Sequence, residues 1–318
     1  MEPVKIILDV DTGIDDALAI LYALKSDRLQ VEGITTGFGN VSAEVATRNT
    51  LAVLELVGLA DRVPVAMGAS APLFRPWDGP VPWIHGENGL GNYPLPEPKG
   101  QPLAEFAPDF LIRKIHEQPG ELTLVFVGRL TNLAIALAKD PSIAGKVKKL
   151  VLMGGALRVP GNVTPVSEAN IWGDPEAAHR VFESGMPITM VGLDVTMKAT
   201  LTRDDVRKLK EMAAAPEKQP LVRFAEGILD FYFEAYEKHN GMRGSFPLHD
   251  PLAAAVAEDA SLVATERHYI RIETKGRLSV GATLADMRRI RPKETNADVC
   301  VQVDRDRFVA RFLHVLAR

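Results

Sequence analysis

Asp9, Asp11, Asp15 and Asp16 fall within one short stretch, "DVDTGIDD", with the apolar run "VKIIL" before it and "ALAILYAL" after it. A single aspartate at such a junction is explained by a helix N-cap, and Asp15 or Asp16 alone would serve. Three or four carboxylates brought together repel and raise each other's pKa unless a cation neutralises them, so the cluster points to a bound metal. With no histidine pair or cysteine nearby, the all-oxygen set suits calcium or magnesium and not zinc. An EF-hand is excluded. With Asp9 as the first loop position the twelfth is Ile20, where a bidentate Glu is needed, and Gly13 comes one place early.

The D-x-D-x-T nucleophile motif of haloacid-dehalogenase phosphatases would place threonine where Gly13 stands, and it leaves the Asp15-Asp16 pair unexplained. Gly37-x-Gly39 in "TTGFGN" lacks the third glycine of a dinucleotide fingerprint. Asp250, followed by Pro251 and an apolar helix, reads equally as a cap or a ligand, whereas Asp174 in "GDPEAAHR" reads as a cap. His249 is either a packed core residue or a proton donor near neutral pH. The loop "GNVTPVSEANIWGD" carries Asn162, Glu168 and Asn170, which suit a hydroxyl-rich ligand or simply a polar surface.

These residues need elements to hold them. "VKIILDV" is short, apolar and β-branched, and "DDALAILYALKS" has apolar residues at helical spacing behind leading acids. The strand-helix alternation then recurs through "LQVEGITT", "SAEVATRNTLAVLELVG", "VPVAMG", "AEFAPDFLIRKIHEQ", "LTLVFVG", "LTNLAIALAKD", "VKKLVLMGG", "DPEAAHRVFESG" and "PITMVGL". The strands are continuously apolar, as a parallel sheet covered on both faces requires, so an α/β fold with an open, mostly parallel sheet flanked by helices is expected. From Thr202 the pattern turns helical, with "RHYIRIETKG" and "VCVQVDRDRFVARFLHVLA" as late strands and a closing helix. No linker or internal repeat divides the chain, so one domain over residues 1–318 with a helical C-terminal part is expected. Two long loops, 68–100 and 154–173, have the length of binding loops.

The chain has 318 residues, 46% of them hydrophobic, enough for a substantial core. Its formal charge of -4 comes from 41 acids and 37 bases without a basic block, which argues against a nucleic-acid partner. Cys300 is the single cysteine, so a disulfide framework and a cysteine metal cluster are excluded and a reducing compartment is the economical expectation. No apolar run reaches membrane-spanning length and the N-terminus lacks a signal-peptide pattern, so the expected location is the cytoplasm.

Taken in order, "DVDTGIDDALAI", "GFGN", "HGENGL", "GRLTNLAIAL", "VLMGGA", "GNVTPVSEANIWGDPEAA" and "LHDP" resemble the inosine-uridine nucleoside hydrolases, from Ile7 to about Val256. Their joint occurrence is far more specific than any one segment. The resemblance implies the nucleoside hydrolase fold and calcium-dependent hydrolysis of the N-glycosidic bond of ribonucleosides to free base and ribose. It implies that Asp11 is both a Ca2+ ligand and the base that activates water. Asp16 would be a bidentate ligand, Asp250 would complete the acidic set, and Val127 would offer its main-chain carbonyl. Asp15, Asn40, Asn162, Glu168 and Asn170 would hold the ribose hydroxyls, with Met153 lining the pocket. His85 and His249 would face the base, His249 as proton donor to the leaving group; Tyr232 or Tyr236 could assist, though each is more often helix packing at such spacing. Asp9 is left for structural hydrogen bonding.

Two departures stand out. Ala169 replaces an aromatic common in relatives, and Arg129 stands where proline is frequent. Neither is expected to touch the metal chemistry. Trp83 suits stacking on a purine, but His249 favours protonation of the base. The family expectation is a homotetramer or dimer. Two rival readings are a magnesium-dependent phosphatase and a catalytically idle nucleoside-binding protein. Gly13 disfavours the first, and intact Asp11, Asp16, His249 and Asp250 disfavour the second.

Overall fold

The computed structural model of the protein describes residues 2–216, 219–288 and 294–318. The chain alternates as expected: β1 (Val4–Val10), α1 (Ile14–Lys25), β2 (Leu29–Thr36), α2 (Ala43–Leu56), β3 (Val65–Met67), α3 (Pro82–His85), α4 (Ala107–Glu117), β4 (Thr123–Phe126), α5 (Thr131–Lys139), β5 (Lys149–Met153), α6 (Ala169–Gly173), α7 (Pro175–Phe182) and β6 (Ile188–Val191). It continues with α8 (Leu193–Thr196), β7 (Thr200–Thr202), α9 (Arg203–Met212), α10 (Gln219–Asn240), β8 (Ser245–Pro247), α11 (His249–Glu258), β9 (Val263–His268), β10 (Ile270–Ile272), β11 (Thr283–Ala285), β12 (Ala297–Val303) and α12 (Arg305–Leu316).

Eight strands form one sheet in the order β3-β2-β1-β4-β5-β6-β12-β9, parallel throughout except at β12–β9. Successive β1 residues serve opposite faces: Ile6, Leu8 and Val10 join the core under α1, α10, α11 and α12, while Ile7 joins the core under α4, α5 and α7. Burial on both faces is why the strands are continuously apolar. The order reverses at β1, whose neighbours are β2 and β4, and such a switch point opens a crevice at the carboxyl ends of the strands. The aspartate cluster begins there.

α1 is buried from Ile14 to Ala23, apolar nearly all round, and packs chiefly on α11. Ala253, Ala254 and Ala255 of α11 are fully buried and small enough for close approach between helices. The two N-termini therefore meet beside the end of β1, a favourable field for negative charge.

The late "RHYIRIETKG" segment is not one strand. Its start ends β9 on β12 and its middle forms β10, which pairs with β11. Asn296 holds the break, since its side chain accepts from Ile270 N and donates to Ile270 O. The short antiparallel pair β7–β8, absent from the sequence pattern, precedes α11 and is continued by a bond from Leu248 N to Ala199 O. Loop 68–100 contains α3 and loop 154–173 ends in α6.

Candidate active site

The register Asp9↔Phe126 aligns β1 with β4, so Val127, Gly128 and Arg129 run beside Val10, Asp11 and Thr12. Asp9 is tied into the sheet. Its Oδ2 accepts from Thr35 Oγ1 at 2.6 Å and from Asn132 Nδ2 at 2.8 Å, and burial pushes its carboxyl up to about 7. That is the structural hydrogen bonding expected of it.

Asp11 is 1% exposed. Its Oδ2 accepts from Asn40 N at 2.7 Å and from Arg129 Nη1 at 2.5 Å, while its Oδ1 is buried without a hydrogen-bond partner. Arg129, expected to stand clear of the metal chemistry, ion-pairs with Asp11, because the parallel register delivers the turn after β4 to the end of β1.

Asp16 sits in the first turn of α1. Its Oδ1 accepts from Asp11 N at 3.0 Å, and its Oδ2 from Gly13 N at 2.9 Å and Asn40 Nδ2 at 3.0 Å. It thus caps the helix from within as well as facing the cluster. Asp15 Oδ1 is buried and unpartnered. Asp250 is no cap: the cap position of α11 is Leu248, and no side chain bonds there. Carboxylate oxygens of Asp15, Asp16 and Asp250 lie within 4.8 Å of one another, all buried.

Burial, then Asp11, raises the Asp15 carboxyl to about 7, and burial, then Asp11 and Asp15, raises Asp16 well above the carboxylate range. Asp250 is driven up by burial, then by Asp15, Asp16, Asp11 and Glu168. Mutual elevation of this kind is what a cation would relieve, and an all-oxygen donor set with two orphaned buried oxygens, on Asp11 and Asp15, fits a hard divalent ion.

The other wall comes from the ends of β4 and β5. Asn170 Nδ2 donates to Val127 O at 2.7 Å and is 3.2 Å from Met153 O. The Val127 carbonyl therefore faces Asn170, with one lone pair engaged. Glu168 caps α6: its Oε1 accepts from Asn170 N, and its Oε2 from Gly155 N and Ile171 N. Burial raises its pKa against those backbone bonds. Asn162 lies on the exposed rim, its Oδ1 accepting from Ala169 N at 3.0 Å.

His85, in α3, reaches the start of α1, where its Nδ1 accepts from Ile14 N at 3.2 Å and lies 3.9 Å from Asp15 Oδ1. Burial, then the charge of Arg129, lowers it to about 3, so it is neutral. His249 is buried and pushed down to about 4. Its Nδ1 meets Thr196 Oγ1 at 2.8 Å and its Nε2 meets Tyr236 OH at 2.9 Å. The Tyr236 ring packs edge-on against Tyr232, with centroids 4.9 Å apart. The sequence reading named both tyrosines but weighed them as helix packing; Thr196, in a four-residue helix, carried no signal. Trp83 is 56% exposed.

A buried carboxylate cluster at the switch point, backed by amides and faced by a histidine-tyrosine chain, is the equipment of an enzyme that hydrolyses a bond to a polyhydroxylated substrate. The family model described as inosine-uridine preferring nucleoside hydrolase matches residues 6–310, and the chain belongs to that family. It is similar to uridine nucleosidase 1 of Arabidopsis thaliana, 43% identical over 89% of this chain and 82% of that one. It is also similar to the inosine-uridine preferring nucleoside hydrolase of Leishmania major, 41% identical over 99% and 98% of the two chains. Among solved structures, a purine-preferring ribonucleoside hydrolase from Gardnerella vaginalis superposes with a TM-score of 0.92 at 39% identity, covering 98% of each chain. The protein is a ribonucleoside hydrolase, and its Asp15, Asp16 and Asp250 group is consistent with a metal site. Among the described residues, no helix is long and apolar enough to cross a membrane.

Proposed function

We propose that the protein hydrolyses the N-glycosidic bond of ribonucleosides in a Ca2+-dependent manner, with Asp11 as the base that takes a proton from the attacking water. The observation that carries this reading is the orphaned Oδ1 of Asp11, buried in a carboxylate cluster and held in place through Oδ2 by Asn40 and Arg129. Asp11, Asp16, Asp250 and the Val127 carbonyl would hold the ion. When bound, it would chelate the sugar diol and relieve the repulsion among the carboxylates.

Asp11 accepts the water proton as the water oxygen bonds to C1′ and the C–N bond breaks. Asp15, Asn40, Asn162, Glu168 and Asn170 orient the sugar hydroxyls, Met153 lines the pocket, and the buried carboxylates favour the positive charge that builds on the ribose. Electrons from the broken bond pass to the base, which must gain a proton. The linked Thr196, His249 and Tyr236 supply a route. His249 takes a proton from solvent as negative charge builds on the base, passes it on through the Tyr236 hydroxyl it touches and returns to the neutral form, and His85 faces the base from α3.

We further propose that residues 1–318 act as one domain, in the cytoplasm, as a homotetramer or dimer. Insertion of β12 and β9 from the C-terminal part into the main sheet supports the first point. The test is release of reducing sugar from inosine, adenosine, uridine and cytidine, with a chelator and calcium add-back. Chelator-sensitive release restored by calcium is expected and ranks the bases; release indifferent to chelator overturns the metal assignment. Light scattering gives the oligomeric state.

A further inference from the structure

One buried cation at this site has so far been given only the holding of Asp11 Oδ2, and its charge no role. The Arg129 side chain is 8% exposed, and besides its bond to Asp11 its guanidinium carbon lies 5.6 Å from the centre of the Phe38 ring. Its Nε is buried and unpartnered. Two glycines make its slot. A Cβ on Gly39 would fall 1.8 Å from Arg129 Nη1, and one on Gly173 would fall 2.4 Å from its Nε. A solvated arginine can swing away from a carboxylate; this one is enclosed by the loop after β2 and the end of α6.

We propose that Arg129 is the resident counter-ion of the carboxylate cluster. It permanently neutralises one of the charges carried by Asp11, Asp15, Asp16 and Asp250, so that the junction of β1 and α1 folds without a divalent ion. A fixed positive charge beside Asp11 opposes a second cation, so Arg129 also weakens metal binding and keeps it reversible. By occupying Asp11 Oδ2 it leaves Oδ1 as the free oxygen of that carboxylate. This inference rests on the reading of Asp11, Asp16 and Asp250 as cation ligands.

The test compares the full-length wild type, Arg129→Met and Arg129→Lys at pH 8, by melting temperature in chelator and by calorimetric titration with calcium. Expected for Arg129→Met is a lower melting temperature in chelator together with a calcium Kd smaller by about tenfold or more, while Arg129→Lys, which keeps the charge, stays near wild type in both. A Kd for Arg129→Met that is unchanged or larger overturns the proposal and reduces Arg129 to packing. If the wild type binds no calcium, the calcium reading fails. The counter-ion role is then decided in chelator, where equal losses in the Met and Lys variants overturn it and a loss confined to Met upholds it. Should Arg129→Met not fold, Arg129→Gln makes the same change of charge with a polar head.

Discussion

Asn40 meets Asp11 only through its backbone N–H, which an alanine there keeps, and its side-chain amide reaches Asp16, so losing that amide leaves the Asp11 carboxylate able to accept a proton. Asp11→Ala is therefore expected to lower kcat by about 10³-fold or more, and Asn40→Ala by much less. Comparable kcat values for the two variants would remove Asp11 as the base. Tyr236→Phe removes the hydroxyl that meets His249 Nε2; with that hydroxyl as the proposed relay, kcat on natural nucleosides should fall by about 10²-fold. A riboside whose leaving group departs as a stable anion needs no proton and should be spared, so equal losses on both substrates would mean that Tyr236 only packs. His249 is buried and lowered to about 4 from an unfolded value near 6.5. A buried neutral imidazole contributes stability above 6.5 that is lost as pH falls toward 4, because the unfolded chain takes up the proton first. The melting-temperature difference between wild type and His249→Gln should accordingly narrow in favour of the variant from pH 7.5 to pH 5.

At the scale of elements, the site depends on two close approaches. α1 and α11 must lie near enough for Asp15 and Asp16 to meet Asp250, and fully buried Ala254 belongs to the run that allows it. Ala254→Leu overfills that contact and should cost about 1–3 kcal/mol of stability, read by urea unfolding, while weakening calcium affinity. The loop from β2 to α2 must also bring its backbone against the Asp11–Arg129 pair. The Cβ of Gly39→Ala would fall 1.8 Å from both Asp11 Oδ2 and Arg129 Nη1. A displacement of that order at the base costs about 10²-fold in rate, so a kcat within a factor of two of wild type would show that Asp11 is not held there during turnover. The elements themselves were legible in the chain: "VKIILDV" and "LTLVFVG" could be little else than buried strands. The β10 break at Tyr269 was not, because it depends on Asn296 arriving from across the fold.

For the whole molecule, a ligand that binds only the folded state stabilises it by mass action. Calcium at a hundred times its Kd should add about 2.7 kcal/mol, seen as a higher melting temperature that chelator reverses; a melting temperature indifferent to both would mean that no ion is held by the native fold. How much of this was present in the chain alone can be judged residue by residue. Acids crowded between a strand and a helix call for a cation or a counter-charge once they are buried together, and the alternation of apolar segments admits little besides a covered parallel sheet, so chemistry and architecture were both readable locally. Asp250 was ambiguous between cap and ligand until α11 was seen to start beside α1 with Leu248 at its cap position. Arg129 looked irrelevant because its meaning lies in the β1–β4 register, and Tyr236 looked like packing until His249 was found at its hydroxyl. The sequence by itself determined which groups are present and which local elements carry them, since propensity and periodicity act over neighbouring residues. Only the tertiary structure decided which of those groups face one another, because helix packing and strand register join positions hundreds of residues apart in the chain.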